Sequence, residues 1–191
     1  MVSETTNSHV YPKANEGGET ASVAPNPSFP NMEETVLKYW DKDDTFQQSV
    51  ERNPSGDHSQ NEFVFFDGPP FANGLPHYGH LLTGYAKDVI PRYQTMKGRK
   101  VNRVFGWDTH GLPIESAVLK DKKVKRDEMT TAQFRTKCRE YAESYIEKMT
   151  GQFQRLGVLG EWENPYITLL PEFEAKQIEV FGKMAEKGLI Y

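Results

Sequence analysis

One segment, residues 63–96, constrains the fold of this chain more than any other. It begins with the apolar run Phe63–Phe66, passes through a turn rich in glycine and proline, and continues as an amphipathic stretch that stops before Gly98. A short apolar run bounded by such a turn is typical of a buried strand, and a long periodic stretch is typical of a helix. The segment therefore predicts a strand, a tight ligand loop and a helix from about His77 to Met96. Proteins of the α/β class bind phosphates with unpaired N–H groups at such a helix start.

The remaining helices are predicted from apolar residues that recur every three to four positions. They cover about residues 32–40, 113–120, 131–156 and 171–186. Val101–Phe105 predicts a second strand, and a second glycine-rich turn follows it. The order strand, helix, strand, with a ligand loop after each strand, indicates an α/β fold with a parallel sheet. Two predicted strands are too few for a complete doubly wound sheet.

The chain divides into three predicted parts. Residues 1–30 contain four prolines and few large apolar residues, so we expect a flexible tail. Residues 31–60 combine a short helix, with Asn31 as its N-cap, and a polar loop. Residues 61–191 contain the α/β part with both ligand loops.

Composition excludes several classes of protein. No apolar run reaches the roughly 18 residues that a membrane span needs, and the first residues lack the pattern of a secretory signal. Cys138 is the single cysteine, which excludes an internal disulfide and a cysteine-rich zinc site, and we expect it to be a small apolar residue on a helix. These features favour a reducing cytoplasm. The net charge of −4 argues against a protein that coats nucleic acid in general.

The residues His77, Gly79 and His80 form an HxGH pattern at the predicted helix start. Imidazoles three residues apart share a helix face and can donate hydrogen bonds to the same triphosphate, while Gly79 lets an adenine lie against the backbone. Such donors stabilise the charge that develops when pyrophosphate leaves an α-phosphate. The pattern therefore indicates nucleotidyl transfer. A metal-binding pair of histidines and a purely structural pair are the alternatives.

The turn Gly106–Pro113 follows the second predicted strand. Asp108 in this turn can pair with an ammonium group, and the glycines on either side allow a substrate to approach the backbone closely. The alternative is that Asp108 caps the helix that begins near Leu112.

In these two motifs, the chain resembles the N-terminal part of the isoleucyl-tRNA synthetases, a family of class I aminoacyl-tRNA synthetases, and the resemblance covers about residues 32–191. The resemblance implies that residues 61–191 are the first, truncated part of a Rossmann-like catalytic domain, which lacks the lysine-rich KMSKS loop of the second half. It implies that His77, Gly79 and His80 bind ATP as the family's HIGH motif, with Tyr78 in place of the usual isoleucine.

The same resemblance implies an amino-acid site. Gly68, Pro69, Pro70 and Asn73 would line the pocket, and Asp108 would bind the α-ammonium group of the substrate. Leucyl enzymes usually read WDAFG where this chain reads WDTHG, and valyl enzymes commonly carry a third proline before their histidines. The resemblance therefore favours isoleucine.

The implied activity is an isoleucine–tRNA ligase that uses ATP with Mg²⁺, isoleucine and tRNA(Ile), acts as a monomer in the cytoplasm, and has no zinc site in this segment. The chain alone is expected to charge tRNA weakly or not at all. Two other hypotheses are a small stand-alone nucleotidyltransferase and a non-enzymatic module that binds ATP or a protein. Residues up to about 113 resemble the eukaryote-like type found in some bacteria and later residues the common bacterial type, which leaves a recombined chain open.

Overall fold

A parallel sheet forms the centre of the described structure. The computed structural model describes residues 26–121 and 124–190. Within them, the strands Phe65–Phe66 (β1), Arg103–Trp107 (β2) and Glu161–Ile167 (β3) form one sheet in the order β1-β2-β3, and both pairings are parallel. The predicted α/β class with a parallel sheet is confirmed. The predicted flexible tail, residues 1–30, lies mostly outside the described residues.

Helices make up most of the described residues. The α-helices are Phe29–Asp43 (α1), Thr45–Arg52 (α2), Tyr78–Met96 (α3), Leu112–Asp121 (α4), Thr131–Arg155 (α5) and Pro171–Glu186 (α6). Short 3₁₀ turns lie at Asp57–Ser59 and Arg126–Glu128. Helices α3 to α6 match the predicted bounds to within a few residues. The prediction for α1 was wrong at its start, because Pro30 is favoured in a first helical turn and the N-cap position falls on Ser28, not on Asn31.

The first strand is shorter and more exposed than predicted. Only Phe65 and Phe66 pair with β2, and the side chain of Phe66 is 87% exposed. This exposure arises because β1 is an edge strand and no described element covers Phe66. The second strand begins at Arg103 and ends at Trp107, so it is shifted by two residues from the predicted Val101–Phe105.

The third strand, β3, was not predicted. Its sequence contains Pro165, which cannot donate to a sheet ladder, and three polar residues that obscure any alternation. The strand tolerates them because its pairing is irregular. Val104 lies opposite Glu161, whereas Gly106 lies opposite Tyr166, which indicates a bulge between the two pairs.

The hydrophobic core lies on one side of β2, where α4 and α5 pack together. Its buried members are Ala72, Trp107, Ile114, Val118, Phe134, Tyr141, Ala142, Met149 and Leu169. On this side Phe105 stacks on Trp162 with ring centroids 4.0 Å apart. On the opposite side, Gly106 leaves the space that the Tyr166 ring occupies.

An ion network attaches α3 to β2. Asp88 Oδ1 lies 2.8 Å from a guanidinium nitrogen of Arg103, and Asp88 Oδ2 lies 2.6 Å from Nε of Arg92. The Arg103 side chain is only 4% exposed. Because a charge buried to this degree needs a partner, this network fixes the helix that carries the HxGH pattern against the middle strand.

Candidate active site

The two histidines of the HxGH pattern form the N-terminal cap of α3. Nδ1 of His77 accepts a hydrogen bond from the N–H of Gly79 at 3.1 Å, and Nδ1 of His80 accepts one from the N–H of His77 at 3.2 Å. This is a reciprocal capping box. Two of the helix N–H groups predicted to be open for a ligand are therefore used by the histidines themselves, which corrects that part of the prediction.

The cap determines which ring nitrogens can reach a ligand. A ring nitrogen that accepts a hydrogen bond carries no proton, so the neutral imidazoles of His77 and His80 bear their proton on Nε2. Each Nε2–H is then a donor. The ring centroids lie 4.0 Å apart, so the two imidazoles that carry these donors are neighbours.

The surroundings of His80 favour its neutral form. Burial lowers the pKa of His80 from its ordinary value of 6.5, and the electrostatic interactions with His77 and then with Lys87 lower it further. Protonation would also turn Nδ1 from acceptor into donor and break the cap. Neutral donors at a helix N-terminus, where the dipole is positive, suit an anionic ligand.

Gly79 has a structural reason to be glycine. A Cβ at this position would lie 2.9 Å from Cε1 of His77. The ring of His77 therefore occupies the space that a side chain would need. The predicted contact between Gly79 and adenine stays a prediction.

The Gly-Pro-Pro loop, residues 68–73, follows the carboxyl end of β1 and is attached to α3. Asp67, which precedes it, is buried, and its Oδ1 lies 2.7 Å from Nζ of Lys87. Lys87 also donates to the carbonyl oxygen of Gly68 at 2.7 Å. Pro69 and Pro70 are half-buried, and a Cβ on Gly68 would meet nothing within 4 Å. The loop thus presents an open face at Gly68 and a fixed anchor at Asp67.

Asp108 lies beside this loop at the carboxyl end of β2. Its N–H donates to the carbonyl oxygen of Pro70 at 2.9 Å, and its own carbonyl oxygen accepts from the N–H of Ala72 at 2.9 Å. The carboxylate is half-buried and accepts a long bond, 3.4 Å, from the N–H of His110. That bond closes a turn ahead of α4. The two predicted ligand loops are therefore joined directly through their backbones.

Asn73, the last of the predicted pocket residues, is held by the core. Its carbonyl oxygen accepts a hydrogen bond from the hydroxyl of Tyr141 at 3.2 Å, and the residue is half-buried. The helix α5 is therefore hydrogen-bonded to the loop through Tyr141. The predicted contact between Asn73 and an amino acid is not tested by this geometry.

A small cavity of about 50 Å³ connects the two motifs. It is lined by Asp67, Pro70, His80, Thr83, Gly84, Lys87, Phe105, Gly106, Trp107, Phe153, Val158 and Trp162. His80 and the loop residue Pro70 thus face one space over the end of β2. Asp108 reaches the same loop from outside this cavity.

Several residues of the site were missed by sequence reasoning. The hydroxyl of Tyr166 in β3 donates to the carbonyl oxygen of Asp67 at 2.8 Å, and burial, followed by the charges of Asp67 and Asp108, raises the pKa of Tyr166. Thr109 and Thr168 share a hydrogen bond of 2.8 Å between their hydroxyls. Trp162 and Tyr166 are the aromatic residues of segment 162–166, and they are the sequence signal that could have indicated a packed strand there.

The described residues contain neither a cluster of metal ligands nor a membrane-spanning helix. Among residues 26–121 and 124–190, no group of three or more His, Cys, Asp or Glu side chains could hold a metal ion. In the same ranges, no helix is both long enough and apolar enough to cross a membrane. Cys138 is half-buried on α5, where burial and then Glu115 raise the pKa of its thiol.

The geometry agrees with a family match. Residues 35–191 match the profile of the tRNA synthetases of class I (I, L, M and V), so the chain belongs to that family. Among curated proteins, the isoleucine–tRNA ligase of Bifidobacterium longum (strain NCC 2705) is 63% identical over 187 residues, which is 96% of this chain and 17% of that protein. The isoleucine–tRNA ligase of Bacillus subtilis (strain 168) is 51% identical over 164 residues, or 86% of this chain and 17% of that protein.

The chain thus spans about 17% of the length of these relatives. The Bifidobacterium match extends across residue 113, so joining two synthetase types is not needed to explain the sequence. A solved crystal structure, the ternary complex of Agrobacterium radiobacter K84 agnB2 LeuRS with tRNA and LeuAMS, matches with a TM-score of 0.65 at 22% identity, covering 86% of this chain and 19% of that chain. That likeness concerns the fold alone, and it agrees with the Rossmann-like prediction.

Proposed function

We propose that this chain forms the HxGH-bearing part of the catalytic site of an isoleucine–tRNA ligase. The full reaction joins isoleucine and ATP into isoleucyl-adenylate, releases pyrophosphate, and transfers the isoleucyl group to tRNA(Ile) in the cytoplasm. Mg²⁺ would accompany the triphosphate, since Mg²⁺ is usually bound through substrate phosphates. The observation that carries the proposal is the direct backbone pairing of Asp108 with the Gly-Pro-Pro loop, next to the capped HxGH helix.

The proposed chemistry follows from the charges at this edge of the sheet. Nε2–H of His77 and Nε2–H of His80 would donate to phosphate oxygens and follow the charge that develops as pyrophosphate departs. The attacking group is the carboxylate of the substrate itself, so the site needs no nucleophile of its own. The carboxylate of Asp108 would hold the α-ammonium group, and the loop of Gly68, Pro69, Pro70 and Asn73 would receive the side chain.

Calorimetry on the chain tests this proposal. A non-hydrolysable isoleucyl-adenylate analogue should bind, and the corresponding valyl analogue should bind more weakly by about 1–3 kcal/mol, the difference that one methylene makes in an apolar pocket. If ATP binds and the analogue does not, the result would favour the small nucleotidyltransferase instead. Binding of neither would favour the non-enzymatic module.

A matched pair of variants separates capping from catalysis. His77→Asn keeps a side chain that caps helices well but removes the Nε2–H donor, whereas His77→Ala removes both. Loss of one such donor costs about 2.7–4 kcal/mol of transition-state stabilisation. In an isoleucine–tRNA ligase of full length, both variants should therefore slow adenylate formation by about 100-fold or more, while only His77→Ala loses stability. Normal adenylate formation in His77→Asn would contradict the assignment.

A further inference from the structure

One ion pair joins the two halves of the proposed site. Nζ of Lys87 lies 2.7 Å from Oδ1 of Asp67 and donates to the carbonyl oxygen of Gly68 at 2.7 Å. The Asp67 side chain is 3% exposed and that of Lys87 is 31% exposed. A carboxylate this deeply buried is stable only with its charge partner in place. The pair therefore fixes the start of the Gly-Pro-Pro loop.

Lys87 belongs to the face of α3 that carries His80. Thr83 and Gly84 lie between them, and all four residues line the same small cavity. Residues at positions i, i+3, i+4 and i+7 form one stripe along a helix. The ammonium group thus lies two turns along the same face from the imidazole of His80.

We propose that the Lys87–Asp67 pair positions the site by clamping the Gly-Pro-Pro loop onto α3 at one fixed spacing from the HxGH donors. The inference rests on the proposed function, because the spacing matters only if the loop and the histidines hold one adenylate. A displacement of about 1 Å in such an arrangement can cost about 100-fold in rate. Lys87 is a positioning residue, since it acts through the loop and through His80.

The charge of Lys87 has a second effect. Within the described residues, Asp67 and Lys87 are the charged side chains that line the cavity with His80, and the other members from β2, β3 and α5 are uncharged. His77, the N-cap residue of α3, also lies against His80. The ammonium group of Lys87 therefore favours the neutral His80, whose Nε2–H is the donor. Replacing Lys87 by an uncharged residue should therefore raise the titration midpoint of His80.

NMR titration of the chain without ligand tests the charge effect. Lys87→Met should raise the midpoint of His80, whereas Lys87→Arg, which keeps the charge, should leave it near the value of the unmodified chain. Lys97→Met is the matched control at the other end of α3, and it should change nothing. A folded Lys87→Met whose His80 midpoint is unchanged or lower overturns the control of His80 by Lys87.

A second variant covers the case in which Lys87→Met does not fold. The double variant Asp67→Asn/Lys87→Met removes both charges and leaves no buried carboxylate without a partner. It should fold, and its His80 midpoint should rise less than in Lys87→Met, because the negative charge of Asp67 is removed together with the positive charge of Lys87. If neither variant folds while Lys87→Arg does, the pair is a requirement for folding and its positioning role is overturned.

Calorimetry with the isoleucyl-adenylate analogue tests the clamp. Lys87→Met should weaken binding by about tenfold, which is about 1.4 kcal/mol, while Lys87→Arg should retain most of it. Equal affinity in Lys87→Met and the unmodified chain overturns the clamp. If the unmodified chain does not bind the analogue, the proposed function fails, and the titration of His80 still decides whether Lys87 controls that residue.

Discussion

Gly106→Ala should destabilise the chain through a residue 60 positions away in sequence. A Cβ at Gly106 would lie no more than 2.5 Å from three ring carbons of Tyr166. The ring cannot easily give way, because it stacks on Phe173 with centroids 6.2 Å apart and its hydroxyl donates to Asp67. The methyl group must therefore push the ring out and strain the pairing of β2 with β3.

The expected cost comes from two terms. Overpacking a well-packed site costs about 1–3 kcal/mol. Displacing the ring also breaks the hydrogen bond from the Tyr166 hydroxyl to Asp67, which is worth about 1 kcal/mol. Gly106→Ala should therefore lower the free energy of unfolding by about 2–4 kcal/mol, whereas Tyr166→Phe, which removes only the hydroxyl, should lower it by about 1 kcal/mol.

Urea unfolding followed by circular dichroism measures these changes, and a double-mutant cycle assigns them. In a Tyr166→Ala background, Gly106→Ala should cost much less, because the ring that it meets is absent. Gly151→Ala is the control of opposite sign. Its Cβ would meet nothing within 4 Å on α5, so it should stabilise the chain by about 0.5–1 kcal/mol. An equal cost for Gly106→Ala in both backgrounds would refute the packing argument.

Three further predictions concern charge and capping. Asp88→Asn should lower the free energy of unfolding by about 3 kcal/mol in urea unfolding, because Arg103 is left buried without its carboxylate, whereas Glu179→Gln on the exposed face of α6 should have no measurable effect. Burial, then His77, then Lys87 lower the pKa of His80, so the unfolded chain binds more protons near pH 6.5. The contribution of His80 to stability is therefore present above pH 6.5 and lost as the pH falls through the folded-state pKa. Urea unfolding above and below pH 6.5 should show this loss of stability in the unmodified chain and not in His80→Gln. Thr130→Ala should cost about 1 kcal/mol in thermal or urea unfolding, because the Thr130 hydroxyl accepts from the N–H of Gln133 at the start of α5.

Helices and the position of the ligand loops were predictable because their signals are local. Each of these signals involves residues that are close together in the sequence. Examples are the capping box of Thr130 and Gln133, the apolar stripe of α5 and the positive φ of Gly157. The same holds for the HxGH pattern, whose spacing placed His77 and His80 at the start of α3. Their use of Nδ1 as caps was not predicted, since histidine is not among the preferred N-cap residues.

What sequence reasoning missed is set by contacts between distant segments. Strand β3 lacks alternation and contains Pro165, and only its pairing with β2 makes it a strand. Nothing in the sequence distinguishes Lys87 from a surface lysine, because its role depends on its contact with Asp67. The exposure of Phe66 is likewise a property of the assembled sheet. Propensity describes each segment, whereas these features depend on which segments meet.

Asp67 shows how contacts within the protein fix the Gly-Pro-Pro loop. Its carboxylate is held by Lys87 of α3, and its carbonyl oxygen accepts the hydroxyl of Tyr166 of β3. The loop that follows pairs through its backbone with Asp108 at the end of β2. A loop whose ordering entropy is lost on folding does not lose it again on binding, so these contacts should favour the proposed binding of the adenylate. A change outside the proposed ligand site, such as Gly106→Ala acting through Tyr166, should therefore weaken the proposed binding of the adenylate by loosening Asp67.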